Sequence, residues 1–233
     1  MKVLGIDTAV ATGSVAIIED DVLVGEMLLT SRRTHARRVM KSLDTLLSVT
    51  EYTLSDLDGF AVSIGPGSFT GLRIGISTVK GLAFSVGKPI AAVTTLDALA
   101  NQFPSSNKLI CPILNARKGQ VYTALYRTDE NGAVVRASDY AVVSPADWVR
   151  RITEPALFVG DGVEEYGSLI KEKLGSLAHF APPFLNTIRA SVVAYIGMKR
   201  LKNKEPDDAK ALVPFYIRPS EAELKKTGGA LSL

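Results

Sequence analysis

The sequence predicts an α/β protein of two successive units, each a mixed sheet covered by helices. Short apolar runs of strand length alternate with longer stretches whose apolar residues recur at helical spacing. Each unit opens on antiparallel strands and continues with helix, strand and helix, an internal echo of architecture rather than of sequence. Helices layered on mixed sheet are the solution this order favours. In 233 residues, 46% hydrophobic and 22% charged content gives ample core and argues against disorder.

The first unit spans residues 1–103. Residues 3–6 and 14–18 read as strands around a small polar turn, with Asp7 closing the first. Asp20-Asp21 turns the chain into a third strand over 22–29. A helix follows over 34–49, carrying Val39, Leu43, Leu46 and Leu47 at helical spacing. The apolar run 59–64 is a buried strand, and Gly65-Pro66-Gly67 turns out of it, since proline fixes φ and glycine admits positive φ. Ser68 or Thr70 caps a helix reaching residue 86. A strand over 89–93 and a helix over 96–101, capped by Thr94 or Thr95, complete the unit.

Phe103-Pro104-Ser105-Ser106-Asn107 marks the boundary to a second unit, residues 104–215. Residues 109–114 and 120–127 are strands around a turn, and Asn131-Gly132 signals a hairpin into a strand over 134–143. Ser144-Pro145 opens a helix to about residue 152, a capping residue followed by proline at the first helical position. A strand over 156–159, the turn Gly160-Asp161-Gly162 and helices over 164–174 and 188–201 follow. Residues 216–233 read as a flexible tail.

A net charge of +3 does not by itself argue for nucleic acid. The single cysteine, Cys111, allows no intrachain disulfide and sits in an apolar run, so it reads as buried and structural. No apolar run approaches the ~18 residues of a membrane span, and Asp7 interrupts the apolar N-terminus, which argues against a signal peptide. The expectation is a cytoplasmic protein without membrane contact.

The segment Gly65-Pro66-Gly67-Ser68-Phe69-Thr70-Gly71-Leu72-Arg73-Ile74-Gly75 lies across a strand-to-helix junction, a natural anion site. It is not a Walker loop, because Leu72-Arg73 stand where Lys-Ser/Thr must meet phosphates and Mg²⁺. Its G-x-G-x-x-x-G spacing also departs from the dinucleotide fingerprint. Asp7-Thr8, with Gly65 and Gly67, remain candidate nucleotide contacts, since an aspartate ending a strand can hold Mg²⁺ beside phosphate. Within the helix, Leu72, Ile76, Val79, Ala83 and Val86 share a core face. Gly71, Gly75, Thr78 and Leu82 form a second, adjacent stripe that brings small residues four apart. Such glycines either permit packing within the unit or admit a partner helix. The leftover small and apolar residues place a partner interface on Val39, Leu43, Gly71, Ile74, Gly75 and Thr78. Arg32, Arg33, Arg37 and Arg38 open the first helix, either as a solvated helix start or as a contact for phosphate or an acidic partner. His35 has valine, not a second ligand, one turn on at position 39, so a His-based metal site is not expected.

Lys2-Val3-Leu4-Gly5-Ile6-Asp7-Thr8-Ala9, the long glycine motif and Pro214-Phe215-Tyr216-Ile217-Arg218-Pro219 resemble the TsaB (YeaZ) family over essentially the whole chain. The resemblance implies a two-lobed actin-like ATPase fold, sugar-kinase-type and ribonuclease H-like, with a reduced second lobe. It implies a non-catalytic subunit in threonylcarbamoyladenosine formation next to the tRNA anticodon, with a TsaD homologue as transferase partner and a TsaE-type ATPase joining them. Homodimers are also implied, no catalytic residue, metal or resident cofactor is assigned, and both a nucleotide at the subunit junction and a tRNA contact through Arg32, Arg33, Arg37 and Arg38 are left open. The contrasting reading is an ATP-dependent kinase-like enzyme using Asp7 and the turns near Gly65.

Overall fold

The computed structural model describes residues 1–30 and 35–218, and no side chain of residues 35–38. Its first sheet contains β1 (Lys2–Asp7), β2 (Thr12–Glu19), β3 (Val22–Thr30), β4 (Gly59–Gly65) and β5 (Ile90–Thr94), in the order β3-β2-β1-β4-β5. The second contains β6 (Leu109–Arg117), β7 (Gln120–Thr123), β10 (Ala141–Val143), β11 (Ala156–Val159) and β12 (Ala178–Phe180), in the order β10-β7-β6-β11-β12. In both, the first three strands of that order pair antiparallel and the remaining pairings are parallel. The echo read from the sequence is thus a duplicated topology. A small ribbon of β8 (Tyr126–Thr128) and β9 (Val134–Arg136) joins the second sheet through β6.

Strand periodicity sorts the core into layers. Leu4 and Ile6 of β1 face α1 (His35–Thr50) and α2 (Phe69–Val86), meeting Val39, Leu43, Ile76 and Val79. Val3 faces the opposite way, toward α3 (Thr95–Ala100), α6 (Ala190–Lys202) and the second sheet. Leu109, Cys111 and Ile113 of β6 point outward to α4 (Pro145–Val149) and α5 (Gly162–Leu174). The Cys111 thiol accepts the Trp148 Nε1–H at 3.1 Å, and burial pushes its pKa up to about 11, so it is a structural cysteine.

The caps agree with the sequence. Ser68, Thr94 and Ser144 accept the backbone N–H of Gly71, Asp97 and Asp147, with Pro145 at the first helical position.

Three expectations are corrected. The strand over 120–127 breaks at Ala124 and Leu125, where the Leu125 N–H leaves the ladder for Ser138 Oγ at 2.9 Å; the strand over 134–143 breaks opposite it. Helix α6, which the boundary at 104 assigns to the second unit, lies on the first sheet. A Cβ at Gly5 would collide with the Ala190 carbonyl, and one at Gly197 with the Ala61 methyl, so small residues bring helix and sheet together. Finally, the tail does not begin at 216: Tyr216, Ile217 and Arg218 dock on the body, and the rest of the expected tail, 219–233, lies outside the described residues.

Candidate functional site

In open α/β sheets, ligands sit beyond the carboxyl ends of parallel strands. Those ends here are Asp7 of β1 and Gly65 of β4 in the first sheet, and Arg117 of β6 and Val159 of β11 in the second. In the first sheet these ends hold Asp7 and Gly65, which the sequence offers with Thr8 and Gly67 for nucleotide contact.

Asp7 and Thr8 are both fully buried. Helix α2 lies directly on the turn that follows them. The Thr8 hydroxyl donates to the Gly71 carbonyl at 2.7 Å, and the Ser68 N–H donates to the Ala9 carbonyl at 2.6 Å. Ser63 Oγ donates to Asp7 Oδ1, which also accepts the Ala9 N–H at 3.3 Å, while Oδ2 has no partner. Burial raises the Asp7 carboxyl to about 7, against the smaller opposing pull of those hydrogen bonds.

The glycines explain the close approach. A Cβ at Gly67 would strike the Ala9 carbonyl, one at Gly71 the Thr8 carbonyl, and one at Gly75 the Thr8 hydroxyl. Gly71 and Gly75 are therefore spent on packing inside the unit, not on a partner, which corrects their assignment to an interface. Thr8 and Gly67 likewise pack within the unit, on α2 and on the β1–β2 turn, and Asp7 is turned to Ser63 of β4 and the Ala9 N–H. Gly65 has φ of +122°, and the place of its missing Cβ holds the Phe215 carbonyl.

The second lobe is tied down in the same manner. Asp161 accepts the Asn115 N–H at 2.9 Å, Asn115 Nδ2 also donates to Glu165, and the missing Cβ of Gly160 points at the Ile113 carbonyl. Burial pushes the Asp161 carboxyl above its usual range.

Between the two sets of strand ends runs the segment 214–218. The Phe215 N–H donates to the Ile64 carbonyl at 2.8 Å, and the Tyr216 ring stacks on Phe69 with centroids 5.0 Å apart. The Arg73 guanidinium covers Phe69 at 3.8 Å. Arg218 donates to Gln120 Oε1 at 2.9 Å and to the Ala116 carbonyl at 3.0 Å, on the β6–β7 hairpin. This strap fastens one lobe to the other across the carboxyl ends of their parallel strands. Tyr216→Ala removes its ring stack and should lower stability by about 2 kcal/mol, as read from the urea midpoint.

The outer face of α1 and α2 is different. Val39 and Leu43 are 3% and 2% exposed and belong to the core, which corrects their placement at an interface. Ile74 and Thr78 do reach the surface. With Phe69, Thr70, Arg73 and Ser77 they line a shallow groove of about 480 Å³. Along the same helix Phe84 is 89% exposed, and on α1 Met40 and Val49 are 47% and 77% exposed. The sequence held a signal for Phe84: it falls off the core positions 72, 76, 79 and 83 yet continues the line 70, 74, 77, 81. Arg32 and Arg33 lie outside the described residues, as do the side chains of His35, Arg37 and Arg38. No helix among the described residues is long and apolar enough to cross a membrane.

A family model described as "TsaD: tRNA N6-adenosine threonylcarbamoyltransferase" matches residues 28–226. The chain is 36% identical, over 97% of each sequence, to the tRNA threonylcarbamoyladenosine biosynthesis protein TsaB of Bacillus subtilis (strain 168). The solved structure of YeaZ from Pseudomonas aeruginosa superposes with a TM-score of 0.76 at 25% identity, covering 93% of this chain and 99% of that one. Component A of the Acidaminococcus fermentans (R)-2-hydroxyglutaryl-CoA dehydratase superposes with a TM-score of 0.54 at 12% identity, covering 87% of this chain and 99% of that one, a likeness of fold alone. The architecture is the expected two-lobed actin-like, sugar-kinase-type fold.

Proposed function

The chain belongs to the TsaB (YeaZ) family, and from that premise we propose that it is a non-catalytic subunit of the apparatus that forms threonylcarbamoyladenosine on tRNA, docking on and activating a TsaD-type transferase. The role in that biosynthesis rests on the named relatives and the family model. The observation that carries the non-catalytic reading is the use of the strand-end groups within the chain. Asp7 is buried against Ser63 of β4, Thr8 is sealed beneath α2, Asp161 is tied to β6, and the strap 214–218 bridges the two sets of strand ends. A kinase-like enzyme needs that carboxylate on Mg²⁺ and those turns open to phosphate.

Docking is assigned to the outer face of α2 and α1, centred on Ile74, Thr78 and Phe84 with Met40 alongside. An aromatic this exposed, on the same helix as the groove that Ile74 and Thr78 line, has the make-up of a binding anchor. Phe84→Asp should weaken binding to the purified TsaD homologue about 100-fold, at the scale of a buried aromatic anchor, while leaving the melting temperature unchanged. Calorimetric titration measures it, and undiminished binding by the folded variant would overturn the interface. A parallel titration of the isolated chain with ATP and Mg²⁺ tests the other half: tight binding with turnover would restore the kinase-like reading.

A further inference from the structure

A cavity of about 590 Å³ opens between α3, α6 and the β8–β9 ribbon, with no wall from α1 or α2. Its lining is chemically asymmetric. At the rim, the exposed Arg136 guanidinium lies 4.0 Å over the Tyr140 ring, and the exposed Lys199 ammonium lies 4.2 Å over the Tyr195 ring. Neither cation has a carboxylate partner among the described residues. The partly exposed Asp97 carboxylate also lines the cavity, beyond the hydroxyl of that same Tyr140, and is held by the hydroxyls of Tyr126 at 2.7 Å and Tyr140 at 2.9 Å. Asp97 Oδ2 accepts only the longer, 3.1 Å contact from Tyr140, which leaves it acceptor capacity.

Each feature narrows the occupant. Two unpaired cations call for an anion at the rim. The space far exceeds one inorganic phosphate and lies within the range of small-molecule sites. Tyrosine rings and a guanidinium plane are surfaces on which a flat ring stacks. A carboxylate repels a second anionic group but accepts hydrogen bonds from amino or imino N–H groups, as it does from an exocyclic base amine. We infer that this cavity is a binding site for a nucleoside phosphate, its phosphate on Arg136 and Lys199 and its base stacked beside the tyrosines with an N–H group on Asp97. The ligand is either a free mononucleotide or one unpaired nucleotide of an RNA strand. The inference stands apart from partner docking, since it needs neither the α2 face nor a second chain.

The test is equilibrium dialysis of the full chain against guanosine 5′-monophosphate, guanosine, and a single-stranded hexaribonucleotide. Guanosine carries adjacent ring and exocyclic N–H donors suited to a carboxylate, and comparing it with its phosphate isolates the rim. Saturable binding of the monophosphate, about tenfold or more tighter than guanosine, identifies a free nucleotide as ligand. Binding of the hexamer alone identifies an RNA strand. In either case the double variant Arg136→Met and Lys199→Met, which keeps the apolar stems over the rings, should weaken binding about tenfold or more. Its far-UV circular dichroism should be unchanged. Absence of saturable binding by both phosphate-bearing probes, or full binding by the folded double variant, would overturn the assignment.

Discussion

Gly71→Ala should destabilise the protein by about 3–4 kcal/mol, and Gly81→Ala, ten residues along the same helix, should stabilise it by about 0.5–1 kcal/mol. At Gly71 the added methyl falls on the Thr8 carbonyl, backbone that no side-chain rotation can move. Relief requires α2 to lift from the β1–β2 turn. That strains the Thr8 hydroxyl bond to the Gly71 carbonyl and the Ser68 N–H bond to Ala9, and opens the layer in which Val39, Leu43, Ile76 and Val79 meet. At Gly81 the same methyl meets nothing within 4 Å, so only the helical preference of alanine remains. Urea unfolding of both variants measures the pair. A stable Gly71→Ala that had instead lost its transferase partner would return the glycines to the interface and sink the packing assignment.

That contrast marks what the sequence makes legible. Period-two and period-3.6 patterns report which face of an element meets its own layer, so β1, β4, β6, α1 and α2 were readable, as were caps set by Ser68, Thr94 and Ser144. A pattern does not report which other segment fills a bare face. Gly71 and Gly75 lie off the apolar stripe of α2, and nothing local distinguishes a turn pressed against them from a partner helix. Val39 and Leu43 carried the apolar stripe of α1 and were therefore core, as their burial shows. Helix α6 was visible as a helix, but its place on the first sheet depends on Gly5, Gly197 and Ala61, whose meeting is set by tertiary packing. The strap 214–218 has no period at all, so its docking between the lobes is not legible from pattern. The strand breaks at 124–125 and 137–140 come from a side chain replacing a ladder bond, which strand propensity does not contain.

Asp7 provides the second large effect, a dependence of stability on pH that Asp7→Asn should abolish. Its carboxyl titrates at 3.8 in an unfolded chain and at about 7 when buried in the folded one. Between those values the folded protein holds a proton that the unfolded chain has released, so stability must fall as pH rises through that window and level off above it. The full span is on the order of 4 kcal/mol. Asparagine in the same place does not titrate, so the difference between the parent and Asp7→Asn, followed by urea midpoint from pH 4 to pH 8, isolates this group from every other that titrates there. Ser63→Ala supplies an independent check. It removes the hydrogen bond that favours the ionised form, so the fall in stability should extend to higher pH. A slope unchanged in Asp7→Asn would show that the carboxylate is ionised and solvated in the folded chain. It would then be free to meet Mg²⁺, and the non-catalytic reading would lose its main support. A slope that disappears leaves a neutral acid locked in the core beside Ser63, consistent with a strand end that serves packing rather than a metal ion.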